Sequence, residues 1–410
     1  MSIREVTLGD KYDLDCGTVL MNGTQALVRL VLMQAARDRT AGLNTAGYVS
    51  GYRGSPLGAV DQQMAAAADM LTAAGIKFQP GLNEDLAATA IWGTQQAELR
   101  GEGTHDGVFA LWYGKGPGVD RSGDVMRHAN MAGTSPRGGV LMALGDDHTG
   151  ESSTVCHQSD WALVDAYMPV LSPAGVQEIL DLGLYGYALS RFSGTWCGLK
   201  LMKDTVEVTS VVDGCVDRMS FVEPEFAMPD GGLNIRLGDN WIDQEARIID
   251  HKRFAAEAFA HANRIDRRVW GRPGAKIGFV AAGKNWLDLN HAFSLLGIDE
   301  GEAGRLGLTT YKVGQTFPLD MKGFHDWAEG LDLIVVVEEK RKLIEVQIKE
   351  AIFDDRRGRR VYGWYKGGAG GMHQEELFPT RFALDPAMIA EKIGSILVEE
   401  GRGTDRIKAG

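Results

Sequence analysis

The sequence predicts an α/β protein, one parallel-sheet domain followed by a smaller one of the same kind. Three observations lead there. Short apolar runs of strand length alternate with longer segments whose apolar residues recur at helical spacing. The short runs are apolar almost throughout, the mark of strands covered on both faces in a parallel sheet. Four turns between residues 48 and 160 are rich in glycine and polar residues, and in an open parallel sheet such turns line the carboxyl edge, where ligands bind.

The elements follow in order. Residues 22–37 (NGTQALVRLVLMQAAR) begin at a capping Asn22, keep helical periodicity and stop near Gly42, so they form a helix with defined ends. A strand over 46–50 comes next, then a helix over about 59–74, a strand over 76–79 and a helix capped by Asn83 that runs to about Leu99. Residues 107–113 (GVFALWY) and 139–145 (GVLMALG) are bounded by turn residues and read as buried strands. Ser172 and Pro173 supply a cap and a first-turn proline for a helix to about Arg191, and a strand over 198–202 closes a first domain spanning residues 1–215.

From 216 to 274 the texture changes to proline, glycine and charge. This is a connector with one helix, whose Arg253, Arg264, Arg267 and Arg268 read as a solvated face rather than a grip on a neighbouring domain. A second alternation begins at 275–283 (AKIGFVAAG), with strands at 308–313 and 333–337 and a last helix around 386–400. Residues 275–400 form the second domain and 401–410 a frayed tail.

A chain of 410 residues, 44% hydrophobic and 24% charged, is long enough for two or three domains with their own cores. Its formal net charge of -12, with no block of like charge, gives no long-range attraction for nucleic acid or an anionic membrane. No apolar stretch reaches the ~18 residues of a membrane span, and the first residues lack a signal pattern. A cytoplasmic protein with small-molecule or protein partners is expected. Cys16, Cys156, Cys197 and Cys215 are too scattered for a metal or cluster motif or a disulfide framework. Any electron transfer therefore needs another chain.

Glu84 is the first candidate for chemistry. It follows Asn83 in the turn GLNED (81–85), where an acidic residue is favoured by the helix dipole alone. In the functional reading, its carboxylate faces a nitrogen heterocycle and stabilises the protonated form by a charge-assisted hydrogen bond. The turn YGKGPGVDRS (113–122) holds glycines that permit positive φ and a stiffening Pro117, which suits a tight strand-to-helix connection. Lys115, Asp120 and Arg121 carry more charge than such a turn requires. An arginine there can hold a substrate carboxylate through two parallel hydrogen bonds, or form a surface pair with Asp120 or Asp124.

In SGYRGSPLG (50–58), Arg53 and Ser55 stand at a strand end within reach of a ligand; the alternative is a proline-stiffened turn. Asp146, Asp147, His148, Glu151 and His157 match no ligand spacing of a closed metal site, so no metal is assigned. Cys156 and His157, adjacent in sequence, point apart and do not make a nucleophile pair. Gln158 and Asp160 read as caps of the next helix. Trp92, Trp112 and Tyr113 are candidates for an aromatic pocket or for plain core.

Together these segments resemble the amino-terminal part of the indolepyruvate:ferredoxin oxidoreductase family, aryl-specific relatives of pyruvate:ferredoxin oxidoreductase that use thiamine diphosphate. The resemblance lies in NGTQALVR (22–29), GLNTAG (42–47), SGYRGSPLG (50–58), NEDLAATA (83–90), WYGKGPGVDRSGD (112–124) and GDDHT (145–149), which are similar to that family's pyrimidine-binding domain. AGK (282–284), YKVG (311–314), PL (318–319) and VEEKR (337–341) are similar to its transketolase-carboxyl-terminal-like domain. The resemblance covers nearly the whole chain. It implies a parallel-sheet thiamine-diphosphate-binding domain of the pyrimidine type, followed by a smaller transketolase-C-terminal-like α/β domain.

It also implies that Glu84 bonds N1′ of the cofactor's aminopyrimidine, favouring the tautomer that removes the thiazolium C2 proton, with Gly116 and Gly118 beside the cofactor. Ser55 falls where related enzymes place a threonine near the substrate. Arg53, Lys115 and Arg121 are assigned to the substrate carboxylate on charge and position. The family's fused proteins continue into a diphosphate-binding domain and a further domain. The Gly-Asp-Gly and later Asn that hold Mg²⁺ and the diphosphate in thiamine enzymes have no counterpart here, since PDGGLN (229–234) has the wrong spacing.

The expectation is therefore a split subunit, or a piece of a fused enzyme, that shares thiamine diphosphate with a diphosphate-binding partner. Mg²⁺ and iron–sulfur clusters belong on partner chains, which include a ferredoxin component, and two-fold pairing is expected. The expected reaction converts an arylpyruvate such as indolepyruvate, with coenzyme A, to acyl-CoA, CO₂ and reduced ferredoxin. Two alternatives stay open: a non-redox thiamine-dependent decarboxylase or ligase subunit, and a catalytically silent assembly or regulatory subunit.

Overall fold

The computed structural model describes residues 7–15, 17–151, 155–367 and 374–409, in two compact units, Met1–Asn263 and Arg264–Gly410. The first unit runs β1 (Thr18–Asn22), α1 (Gly23–Thr40), β2 (Thr45–Gly51), α2 (Val60–Ala66), α3 (Ala68–Ala73), β3 (Ile76–Phe78), α4 (Glu84–Thr94), β4 (Gly107–Lys115) and α5 (Gly116–Arg121). It continues through α6 (Gly123–Ala132), β5 (Val140–Asp146), α7 (Asp160–Asp165), β6 (Val170–Leu171), α8 (Val176–Ser193), β7 (Trp196–Met202), α9 (Lys203–Val206) and β8 (Thr209–Asp213). After irregular chain come α10 (Trp241–Arg247), a π-helical turn (Ile248–Lys252) and α11 (Arg253–Asn263).

Strands β6-β7-β5-β4-β2-β3 lie side by side, each parallel to its neighbour. β4 and β5 are central and dry. Side chains 109–113 and 140–144 are essentially inaccessible to solvent, as their unbroken apolar sequence requires. α8 packs on β5 and β7, and Gly183 of α8 lets Leu30 of α1 approach closely. α4 lies on β2 and β4. β1 and β8 pair separately as an antiparallel ribbon.

Helix α1 begins as its sequence predicts. The Asn22 side chain accepts the Gln25 backbone N–H at 2.9 Å, and the Gln25 side chain accepts that of Asn22 at 3.0 Å, a reciprocal cap. Elsewhere the structure corrects the expected boundaries. The helix expected over 59–74 breaks at Ala67 into α2 and α3, and α4 stops at Thr94. Ser172 does not cap α8; Gly175, at φ 95°, leads into it, and the Glu178 carboxylate accepts the Ala174 N–H.

The four arginines expected on one helical face are dispersed: Arg253 opens α11, Arg264 sits at φ 50°, and Arg267 and Arg268 form a strand of the second unit. The helical segment 241–263 is fastened to the first unit by Lys252. This fully buried ammonium donates to the carbonyls of Asn130, Met131 and Gly194 at 3.1–3.2 Å. Burial, then repulsion from Arg247, pushes its pKa down to about 7.

The second unit contains β9 (Arg267–Arg268), β10 (Ile277–Ala282), α12 (Gly283–Leu295), α13 (Glu300–Leu306), β11 (Leu308–Val313), β12 (Gln315–Phe317) and α14 (Met321–Ala328). It ends with β13 (Leu333–Val336), α15 (Ile344–Ala351), β14 (Arg360–Tyr362), α16 (Pro386–Glu399) and α17 (Asp405–Ala409). Its sheet has the order β14-β13-β10-β11-β9, parallel except for β9. The expected frayed tail instead carries α17, because Ile407 buries itself beside Gly394 of α16. Cys16, Ser152, Ser153 and Gly410 lie outside the described residues. No helix among the described residues is long and apolar enough to cross a membrane.

Arg29 of α1 has no accessible surface, and its guanidinium donates to the carbonyls of Lys11 (3.0 Å), Asp13 (3.1 Å) and Gly214 (2.6 Å). Replacing it by methionine strands those acceptors. Arg29→Met is expected to lower the unfolding free energy by about 1.5–3 kcal/mol in denaturant titration; unchanged stability would show that these bonds do not fasten the segments to α1.

Candidate functional site

Because β2, β3, β4, β5 and β7 all point the same way, the turns that follow them emerge along one edge. The register pairs Gly51 with Tyr113 and Lys115 with Gly145, so the glycine-rich ends stand side by side. The Gly81 N–H donates to the Gly51 carbonyl at 2.8 Å, and the Tyr52 N–H to that of Tyr113 at 3.0 Å. Gly54 lies against the Lys115 stem, and Gly145 against Pro56 and Leu57. The four turns thus form one continuous surface.

Glu84 is the first residue of α4, and Asn83 caps the helix by accepting the Leu86 N–H at 2.9 Å. The Glu84 backbone is pinned from below, because the buried Trp112 indole donates to its carbonyl at 3.1 Å. The residue is 7% exposed, yet among the described residues no hydrogen bond or ion pair engages its carboxylate. Gly118 of α5 is what makes room for it. A Cβ at Gly118 would lie 2.5 Å from Glu84 Cγ and 2.8 Å from Oε1.

The other predicted residues are spread along the same edge. Arg53 is exposed and Ser55 half-buried, both in the turn after β2. Lys115 is half-buried at the end of β4, and neither its ammonium nor the Arg53 guanidinium has a hydrogen-bonding or ionic partner among the described residues. Arg121 is engaged: its Nε donates to Asp85 at 2.9 Å, so its surface pair is with Asp85 rather than Asp120 or Asp124. Trp112 and Tyr113 are inaccessible core residues, and the Tyr113 hydroxyl donates to Asp61 at 2.5 Å. Trp92 stacks on His128.

Sequence reasoning missed a charged network beside Gly116. Asp146 ends β5 with no exposure and accepts the backbone N–H of Ser159 at 2.9 Å and its hydroxyl at 2.5 Å. Lys200 of β7 lies 3.9 Å from Asp146 and 2.7 Å from Asp160. Asp160 is therefore an ion-pair partner, and neither it nor Gln158, which donates to it at 2.9 Å, caps α7. His157 stands between two carboxylates, Nε2 at 2.8 Å from Asp120 of α5 and Nδ1 at 3.7 Å from Asp146.

Burial alone would lower the His157 pKa, but Asp146 and Asp120 outweigh it and hold the imidazole above its ordinary value. Burial likewise opposes the Asp146 charge, yet His157, Lys200 and His148 keep its carboxyl below the usual carboxylate range. Among the described residues no group of three or more His, Cys, Asp and Glu side chains is arranged to hold a metal ion. The only sequence signal for the network was its clustered polar residues at 146–160.

Residues 267–410 match the model of the indolepyruvate oxidoreductase domain. Over 409 residues the chain is 24% identical to indolepyruvate oxidoreductase subunit IorA of Pyrococcus abyssi, covering 97% of this chain and 55% of that protein. The chain is thus similar over nearly its whole length to indolepyruvate oxidoreductase subunits. The IorA subunit of Pyrococcus horikoshii is 23% identical over 88% of this chain and 51% of its own length, so the chain spans about half the length of these relatives.

Among solved structures, the fold is similar to a 2-oxoglutarate:ferredoxin oxidoreductase from Magnetococcus marinus, with TM-score 0.59, 12% identity and coverage of 92% of this chain and 65% of that one. It is also similar to a split-gene transketolase, with TM-score 0.52, 11% identity and coverage of 91% and 98%. The pair of parallel-sheet units is thus the architecture of these enzymes. Within it Gly118 and Glu84 are in close contact. Gly118→Ala is expected to swing the Glu84 side chain away in a crystal structure and to lower stability by about 1–3 kcal/mol. Gly123→Ala, where nothing lies within 4 Å, should leave both unchanged.

Proposed function

We propose that this chain is a subunit, or part, of an aryl 2-oxoacid:ferredoxin oxidoreductase, contributing the pyrimidine side of a thiamine diphosphate site shared with a diphosphate-binding chain. The observation that carries the reading is the Glu84 carboxylate, carried by a residue that is 7% exposed and without a hydrogen-bond donor among the described residues. Its oxygens are left to water or to a ligand. A cationic or protonated nitrogen heterocycle is the ligand that satisfies it, and the bare Cα of Gly118 leaves space for one beside it. Similarity to indolepyruvate oxidoreductase subunits supports the same cofactor.

Thiamine diphosphate, when bound, supplies the electron sink that decarboxylation of a 2-oxo acid requires. The chain's own residues orient and hold protons. Glu84 accepts a hydrogen bond from the protonated ring nitrogen at a fixed position, because Asn83 caps its helix and Trp112 pins its carbonyl. Arg53 and Lys115, unengaged in the chain, are assigned to the substrate carboxylate. Ser55 is placed near the oxo group. Arg121, already paired with Asp85, is the weakest of the four. Gly116 and Gly118 line the cofactor side of the turn.

Leu82 and Leu86 are exposed beside Glu84 and give a partner apolar surface to cover. The partner chains hold Mg²⁺, the diphosphate and the iron–sulfur centres, and coenzyme A accepts the acyl group in a two-fold cytoplasmic assembly. In the assembled enzyme, supplied with indolepyruvate and coenzyme A, Glu84→Gln is expected to reduce turnover by about 10²–10⁴ while the folded chain persists. Near-normal turnover refutes the assigned role. Acyl-CoA formation that continues without ferredoxin would overturn the redox assignment in favour of a non-redox enzyme.

A further inference from the structure

His157 is a half-buried titratable side chain that touches the cofactor-side turn without a part in the chemistry of Glu84. Its ring lies so close over Gly116 that a Cβ there would sit 2.2 Å from Nδ1. One ring nitrogen reaches Asp146 on the central strand β5 and the other reaches Asp120 on α5. Helix α5 has six residues, and Gly118, the neighbour of the Glu84 carboxylate, stands two positions from both Gly116 and Asp120.

We propose that His157 is a positioning residue: by bridging Asp146 and Asp120 it clamps α5 to the sheet edge and so fixes Gly118 against the Glu84 carboxylate. Its functional consequence rests on the reading of Glu84 given above; the clamp itself is a property of this chain. The sheet side is immobile, because Asp146 is held by the Ser159 N–H and hydroxyl and faces Lys200 and His148. Lys200 is steadied in turn by Asp160. The other fastening of α5, Arg121 to Asp85, is exposed on both sides and therefore weak.

A neutral imidazole keeps at most the 2.8 Å hydrogen bond to Asp120, whereas the imidazolium adds its charge to that bond and attracts Asp146 across 3.7 Å as an ion pair. The clamp is therefore complete only when His157 is protonated. Its folded pKa lies above the ordinary value of about 6.5. The stabilisation is accordingly full below that value and is lost as pH rises through the raised one.

The test uses the full chain. Histidine Cε1 resonances and amide exchange are followed across pH, with exchange corrected for its intrinsic rate. His157 is expected to titrate above ordinary histidine, and α5 amides to lose protection over the same interval. In His157→Gln, with one neutral hydrogen bond, protection should be intermediate and independent of pH; in His157→Ala it should be low throughout. Wild-type protection of α5 in His157→Ala overturns the clamp. If that variant does not fold, Asp120→Asn decides, since it alters only the exposed partner, and unchanged pH dependence there overturns the clamp equally.

In the assembled complex, thiamine diphosphate affinity should fall as pH rises through that interval, by about tenfold for each unit by which bound cofactor raises the His157 pKa, and be flat in His157→Gln. If α5 responds but the affinity does not, the link to Glu84 is overturned while the clamp stands. If the complex binds no thiamine diphosphate at any pH, the reading of Glu84 fails and the exchange result still judges the clamp.

Discussion

The Glu84 carboxylate, carried by a mostly buried residue and without a donor among the described residues, is the constraint to which the turns around it answer. The amino end of α4 favours its charge. The sequence places no donor on the facing helix. It instead places glycine at 118, caps the helix with Asn83 and anchors the Glu84 carbonyl through Trp112. Each of these fixes the position of the carboxylate and none neutralises it.

Along the same edge the charges divide into two populations. Asp146, His157, Lys200, Asp160 and Asp120 satisfy one another, and around the buried Asp146 and Asp160 such a network is rigid because removing a partner leaves a buried charge unpaired. Among the described residues Arg53, Lys115 and Glu84 stay unengaged. The first population belongs to the scaffold; the second does not.

How much of this was legible in the sequence depended on how far each signal reached along the chain. The cap of α1 at Asn22 and Gln25, the dry strands β4 and β5 and the helix start at Glu84 are encoded within a few residues, and they were readable. The break at Ala67, the late start of α8 at Gly175 and the π-helical turn before Arg253 are set by neighbours that composition does not name. Arg121 pairs with Asp85 and Lys200 with Asp160, partners 36 and 40 residues apart that only the parallel register brings together. In the second unit, AGK and VEEKR were readable as motifs, but not that Asn285 beside the first would bond both the backbone and the side chain of Glu339 in the second.

The two glycines of the turn after β4 carry different loads, and their spacing is what joins the two populations of charge. Gly116 accepts the His157 ring and Gly118 accepts the Glu84 side chain, and both belong to one short helix. A helix of six residues moves as a body, since no residue of it has more than one turn of internal hydrogen bonding to resist displacement. A shift that relieves one contact therefore disturbs the other. The paired network at β5 thus sets the geometry of the unpaired carboxylate on α4 without touching it, and neither glycine tolerates a side chain for reasons that have nothing to do with turn conformation.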